Sequence, residues 1–247
     1  EHLAGSEEAF GERMNARAKE LGMNDTHFLN CTGLPAEGHV TSAYDIALMS
    51  RELILHHPDI RRFTTIWMDS LRGGESLLVN TNKLVRFYPG ATGLKTGSTS
   101  AAKYCISATA EKDGMELIAV VLGGSTSDKR FADAKALLNY GFAAYTLLPV
   151  VPESPLPAVP VTLGERRQVQ AVLPQGSVLL LEKNRANALT QSLTLREAVE
   201  APVEQGDTLG SLDLFTADGT LLSSLPLLAG ESVARLTWRQ LFCRCAS

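Results

Sequence analysis

Cysteine is scarce in this 247-residue chain: Cys31, Cys105, Cys243 and Cys245, with no Cys-x-x-Cys pair. That spacing excludes a dense disulfide framework and offers no thiolate set suited to zinc, so the thiols read as unpaired residues of core or tail. Basic excess is missing as well: 23 Lys and Arg stand against 27 Asp and Glu, a net charge of −4. Without spare cations to neutralise phosphates, nucleic acid is excluded as a partner. No apolar run reaches the roughly 18 residues that a membrane-crossing helix needs. The first ten residues, EHLAGSEEAF, show neither a basic nor an apolar leader region, so any signal peptide is expected to lie outside this chain. The five histidines are scattered through ends and loops or, as His56-His57, close a helix. They carry no carboxylate spacing that reads as a site, and neither a metal nor another cofactor is expected.

What is present is ordinary globular material, 45% hydrophobic and 20% charged, long enough for two domains. Ser6 to Leu21 reads as a helix: Ser6 caps it, Glu7 and Glu8 suit the positive end of its dipole, and Gly22 suits its end. Phe10, Met14, Ala18 and Leu21 recur at helical spacing as its buried stripe. After a loop rich in Asn, Thr and Gly, a second helix opens at TSAYD, with Ser42 and Asp45 as a capping-box-like pair. Its Ile46, Met49, Leu53 and Ile54 face inward, and Pro58 ends it. Arg61 to Val85 reads as short extended segments around the turn Arg72-Gly73-Gly74. Strands are expected at Gly93–Ser98, Tyr104–Ala110 and Met115–Leu122, the last two joined by an Asp113-Gly114 hairpin turn. Ser127 is the expected cap of a further helix carrying Phe131, Leu137, Leu138 and Phe142.

At Leu148 the texture changes. LLPVVPESPLPAVPVTLG concentrates proline and reads as an extended connector. Residues 161–238 then alternate short apolar runs with turn signals, the pattern of a small all-β sandwich or barrel. The sequence therefore divides into an α+β domain at 1–148 and a β-rich domain at 149–247. Arg235, Trp238, Arg239, Phe242 and Arg244 near the end suit the start of an amphipathic helix able to touch a membrane surface.

The stretch ATGLKTGSTSAAKY, residues 91–104, holds the most chemistry per residue. Lys95 sets a positive potential for a carboxylate and for a neighbouring nucleophile. The Thr96 hydroxyl suits hydrogen bonding to a carboxylate oxygen. Gly97 lets a substrate backbone lie against the strand, and the amide of Ser98 suits a developing oxyanion.

Taken with its surroundings, GATGLKTGSTSAAKYCISATAEKDGMELIAVVLGG, this stretch resembles the low-molecular-mass penicillin-binding proteins. In particular it resembles the serine-type D-alanyl-D-alanine carboxypeptidases of the DacA/DacF type, peptidase family S11. The upstream stretches MNARAKELGMNDTHFLNCTGLP and TSAYDIALMSREL resemble the same family, as does the Pro-rich passage into a β-rich domain. The resemblance implies a β-lactamase/transpeptidase-like domain incomplete at its N-terminal side, followed by the β-domain. It implies removal of the terminal D-alanine from peptidoglycan pentapeptides through an acyl-enzyme, with β-lactam antibiotics as substrate mimics, outside the cytoplasmic membrane. By the same resemblance Lys95 and Ser98 are catalytic positions, Lys95, Thr96 and Gly97 bind substrate, and Arg130 helps bind the D-alanine carboxylate.

The chain departs from the family's order of Ser-x-x-Lys, Ser-x-Asn and Lys-Thr-Gly. Ser-x-x-Lys occurs once, as Ser100-Ala101-Ala102-Lys103, after Lys-Thr-Gly, and Ser-x-Asn does not occur. The chemistry needs Ser and Lys three apart on one helical face. Residues 100–103 fall between strands, so the match reads as coincidence. The chain is expected to start just past the family's Ser-x-Asn motif and to be inactive alone. A chain shortened at its start, a separate cleaved piece or a misplaced gene start would each account for that. Two other readings stay open: a non-catalytic wall-associated scaffold of the same fold, and a class A β-lactamase-like hydrolase. The Pro-rich passage into a second domain speaks against the latter.

Overall fold

The computed structural model describes residues 1–185 and 189–245, with side chains as far as residue 242. It divides into two compact units at Ala143/Ala144. The side chains of Cys243, Arg244 and Cys245 lie outside the described residues.

The first unit opens with helix α1, Glu7–Glu20, whose Ser6 hydroxyl accepts from the Ala9 amide. Gly22 follows it with φ +77°, the left-handed geometry that glycine adopts without strain. Ala18 is fully buried in the expected stripe, while Phe10, Met14 and Leu21 are half-buried. Asn15 clamps the next loop to α1 through both its amide atoms, donating to Phe28 O at 2.8 Å and accepting from Phe28 N at 2.7 Å.

Helix α2, Ala43–His56, starts where expected, with the Ser42 hydroxyl accepting from Asp45 N at 3.2 Å. The capping box is half made. Asp45, 1% exposed, points its carboxylate away from the cap and accepts from Asp25 N and Thr26 Oγ1 at 2.8 and 2.6 Å. It pins the α1–α2 loop, a role the four-residue pattern does not reveal. Of the expected inward residues only Ile54 is buried; Ile46 and Leu53 are half-buried and Met49 is exposed.

Within residues 61–85 the expected short strands lie on either side of Arg72-Gly73-Gly74, and the departures from the extended reading are two helical turns. Helical turns α3, Arg61–Thr64, and α4, Leu84–Phe87, flank a hairpin of β1, Met68–Leu71, and β2, Ser76–Val79. The buried Asn82 side chain starts α4 by accepting from Leu84 N, and it donates to Gly93 O at 2.9 Å.

Strands β3, Ala91–Thr99, β4, Lys103–Lys112, and β5, Met115–Gly124, form an antiparallel sheet in that order. Asp113 and Gly114 both have positive φ, 51° and 76°, as a tight two-residue hairpin requires. Helix α5, Ser127–Ala144, covers one face. Its first turn is capped by Thr126, whose hydroxyl accepts from Lys129 N at 3.1 Å, rather than by Ser127. Ile106, Ala108 and Ala110 of β4 meet Phe131, Ala134 and Leu138 of α5 in the core, while Leu137 points outward. The small alanines bring helix and sheet close, and Phe131 and Leu138 fill the remaining space. On α2, Ser50 places its hydroxyl 2.7 Å from that of Ser107 on β4, a buried polar link between helix and sheet.

In the second unit the stretch read as a connector begins with a strand. Strand β6, Tyr145–Pro149, is followed by β7, Ala158–Thr162, β8, Gln168–Val172, β9, Val178–Glu182, and β10, Thr190–Leu195. Then come β11, Val199–Glu200, β12, Thr208–Phe215, β13, Leu221–Ala229, and helix α6, Trp238–Cys245. Strand β6 pairs with β9, Leu147 opposite Leu180, and the other strands form one sheet in the order β10-β12-β13-β8-β7-β11. Alternate residues Val159 and Val161, and Val169 and Ala171, point into a core shared with Leu209 and Val233. Up to α6 the unit is built of strands, as the turn spacing predicts.

Candidate functional site

Strand β3 lies at the margin of its sheet, and no strand among the described residues pairs with its outer edge. Register sets Lys95 opposite Ser107, Thr96 opposite Ile106 and Gly97 opposite Cys105. The Ser50–Ser107 link therefore ties α2 to the residue that pairs with Lys95.

Residues Leu94–Thr99 line one side of a cavity of about 730 Å³. Ile46, Met49 and Leu53 of α2, Thr32, Gly33 and Leu34 of the α1–α2 loop, and Ile106 and Ser107 of β4 also line it. The helix face read as inward thus walls this cavity, which explains why Ile46 and Leu53 are only partly covered. Asn30 shapes the loop wall: its Oδ1 accepts from Gly33 N at 2.8 Å and its Nδ2 donates to Leu34 O at 2.9 Å. The lining is apolar but for the polar groups of β3, hydroxyls of the flanking elements and the Cys105 thiol. Charge in such surroundings acts through less solvent screening than on an open face.

The Lys95 side chain is exposed and turns its ammonium back on the carbonyl of Thr96. Thr96 is buried, its hydroxyl 2.6 Å from that of Thr81. Thr81 thereby fixes the Thr96 hydroxyl, a function with no signal in the sequence. At Gly97 the position of a Cβ would meet nothing within 4 Å, so the backbone there is open to an approaching chain. Ser98 is exposed and lies next along the same edge.

Arg130 stands apart from these four. It is 6% exposed and lies outside the residues lining the cavity. Its Nη1 donates to Gly97 O and Cys105 O at 3.3 and 3.1 Å, and its Nη2 to Ser127 Oγ at 3.3 Å. Its guanidinium carbon sits 4.6 Å from the centre of the Phe131 ring and 5.6 Å from that of Tyr104. Burial pushes the guanidinium below its ordinary pKa, with Cys105 and Tyr104 acting in the opposite direction. The structure thus brings Lys95, Thr96, Gly97 and Ser98 together on one edge and puts Arg130 behind them, cross-tying two strands through their carbonyls.

Cys105 and Cys31 are free thiols, half-buried and exposed respectively, so neither belongs to the core. No group of three or more His, Cys, Asp or Glu among the described residues is arranged to hold a metal ion. Ser100–Ala102 form the turn between β3 and β4, and Lys103 begins β4. The Ser-x-x-Lys spacing therefore has no helical face on which serine and lysine could meet.

Residues 1–126 match the peptidase S11 family, described as D-alanyl-D-alanine carboxypeptidase, and residues 150–235 match the penicillin-binding protein 5 C-terminal domain. The chain is 39% identical to D-alanyl-D-alanine carboxypeptidase DacF of Bacillus subtilis over 95% of its own length and 61% of that protein's. It spans 58% and 57% of the D-alanyl-D-alanine carboxypeptidases DacC and DacA of Escherichia coli, and about half of shorter-matching relatives. Penicillin-binding protein 5 of Haemophilus influenzae shares the fold, with a TM-score of 0.74 at 24% identity over 95% of this chain and 68% of that one. Penicillin-binding protein D2 of Listeria monocytogenes, solved in a cefotaxime-bound form, is 38% identical with a TM-score of 0.50, over 54% of this chain and 55% of that one. With the family match covering half its length and a strand edge displaying Lys95-Thr96-Gly97, the chain belongs to the S11 family of D-alanyl-D-alanine carboxypeptidases.

Proposed function

We propose that this chain supplies the substrate-binding edge of a serine-type D-Ala-D-Ala carboxypeptidase that trims peptidoglycan stem peptides. The observation that carries this reading is the exposed Lys95 on an unpaired strand edge beside an apolar cavity. Thr96 and Lys95 bind the terminal D-alanine carboxylate, the peptide lies along β3 at Gly97, and the Ser98 amide faces the carbonyl oxygen as it gains charge. In the reaction, a serine hydroxyl bonds to the penultimate D-Ala carbonyl carbon and the peptide C–N bond breaks. The terminal D-Ala leaves with a proton on its amine, and water then hydrolyses the acyl-enzyme. The serine is not Ser100, whose turn geometry denies it a paired lysine. A β-lactam enters the same path as a mimic of the acyl-D-Ala-D-Ala unit. Arg130 adds positive potential from behind the edge and keeps Gly97 in place.

This reading places the protein outside the cytoplasm, at the cell wall, with a role in wall biogenesis and cell shape. No helix among the described residues is long and apolar enough to cross a membrane. Helix α6 instead exposes Trp238 and Phe242, four residues apart and 88% and 79% exposed, beside Arg239. Such a face suits peripheral contact with an anionic lipid surface. The domain division proposed is 1–148 and 149–247.

Fluorescent penicillin tests the proposal. The 247-residue chain is expected to bind an acyl-D-Ala-D-Ala peptide reversibly, to lose that binding in Lys95→Ala, and to form no covalent penicillin adduct. A gene product that also carries Ser-x-x-Lys upstream of Glu1 is expected to be labelled. The scaffold reading, favoured by the lone, misplaced Ser-x-x-Lys, takes over if such a product resists labelling.

A further inference from the structure

Ser100-Ala101-Ala102-Lys103 has no nucleophilic role, yet its two polar ends line a cavity together. Ser98, Thr99, Ser100, Lys103, Tyr104 and Ser125 surround a cup of about 510 Å³. These residues carry five hydroxyl groups and an ammonium, and none carries a carboxylate. Among the described residues Lys103 makes no ion pair, and the hydroxyls of Ser98, Ser100 and Ser125 have no hydrogen-bond partner. The acids at the start of α5 are engaged elsewhere, Asp128 with Lys83 and Asp133 with Lys129. Lys103 holds a left-handed backbone, φ +56°, an unusual conformation for a lysine. The turn that carries it is fixed by the Thr99 hydroxyl accepting from Ala102 N at 2.9 Å.

The cup continues the peptide-binding edge, because Ser98 and Thr99 line both cavities. A peptide with its terminal carboxylate at Lys95–Thr96 has two ways to run along β3. The way toward Gly93 is closed: the Thr92 and Gly93 carbonyls already accept from Thr64 Oγ1 at 2.7 Å and Asn82 Nδ2 at 2.9 Å. The open way is antiparallel, toward Thr99. At about 3.3 Å per residue, the third residue from the carboxyl end lies beside the cup.

We infer that this cup is a subsite for a carboxylate carried on the side chain of that third residue. The inference rests on the function proposed above. Lys103 and the free hydroxyls all donate to such a group. An amine in the same place meets like charge from Lys103, with Lys95 and the buried Arg130 close along the strand.

Isothermal titration of the 247-residue chain at low salt with three N-acetyl-X-D-Ala-D-Ala tripeptides tests it. X carries a terminal carboxylate, carboxamide or amine on side chains of equal length. The carboxylate peptide is expected to bind about tenfold more tightly than the amine peptide, with the gap narrowing as salt is added. Lys103→Asn keeps a residue type that accepts the left-handed backbone and should bring all three within about twofold; Lys103→Arg should restore the preference. Equal binding of the three peptides, or a preference that survives Lys103→Asn, overturns the subsite. If that equal binding vanishes in Lys95→Ala, the edge reading stands while the cup fails. If no peptide binds the unaltered chain, the subsite and the reading beneath it fall together.

Discussion

Replacing Arg130 by leucine probes whether the strand edge that carries Lys95–Ser98 is held from behind. The side chain gives up three hydrogen bonds, to Gly97 O, Cys105 O and Ser127 Oγ, all at 3.1–3.3 Å and so toward the weaker end. At about 1 kcal/mol net each, with about 0.5–1 kcal/mol from the aromatic contacts, some 3–4 kcal/mol is at stake. Against this stands relief of a buried charge whose Nε lacks a hydrogen-bond partner, on the order of 1–2 kcal/mol. The lowered pKa has the same sign: a base depressed in the fold disfavours folding wherever it is charged. For arginine that covers the whole working pH range, so the effect should not vary with pH. The balance is a loss of about 2 kcal/mol, or about 8 °C in the melting of the first unit. Calorimetry should show that transition moving while the all-β unit melts unchanged, with weaker peptide binding following the loss of order at Gly97. Arg130→Lys keeps a point charge without the fork that spans two carbonyls, and should recover less than half of the loss. An unshifted melting curve combined with abolished peptide binding would refute the reasoning, since it would mean that Arg130 touches the ligand directly.

Two further outcomes are expected. Gly97→Ala should leave the melting temperature within about 2 °C, because the added methyl meets nothing within 4 Å, yet weaken acyl-D-Ala-D-Ala binding at least about tenfold by calorimetric titration. A normal affinity would show that no backbone lies against that position. In the tail, replacing Trp238 and Phe242 together by serine should abolish co-sedimentation of the chain with anionic phospholipid vesicles without altering the β-unit's circular dichroism; undiminished sedimentation would remove α6 as the contact.

Much of this architecture was legible because local signals agreed with the fold. Ser6 and Ser42 cap their helices as short-range chemistry predicts, and Asp113-Gly114 closes its hairpin, since each answer lies within four residues of the question. The failures are of longer range. Asp45 looked like half of a capping box, but a buried carboxylate goes where the most donors are, here the backbone and hydroxyl of Asp25 and Thr26. Ile46, Met49 and Leu53 had the periodicity of a buried stripe, and periodicity cannot distinguish a core from a cavity wall. Residues 61–85 carry polar interruptions that suit both strand and short helix, and Asn82 decides for helix at Leu84 through its side chain. Within the site, the order of residues 95–98 pointed to one edge because a strand keeps neighbours together. Thr81 and the Thr32–Leu34 wall arrive from distant parts of the chain, where no spacing rule reaches.

An open sheet margin invites another copy to zip onto it, and proteins usually discourage this with charge. On β3 that duty falls to Lys95, the only charged residue between Ala91 and Thr99. The group that would greet a D-alanine carboxylate also keeps neighbouring molecules from stacking strand upon strand. A neutral replacement at this position is therefore expected to favour edge-to-edge association of the chain, whatever else it alters.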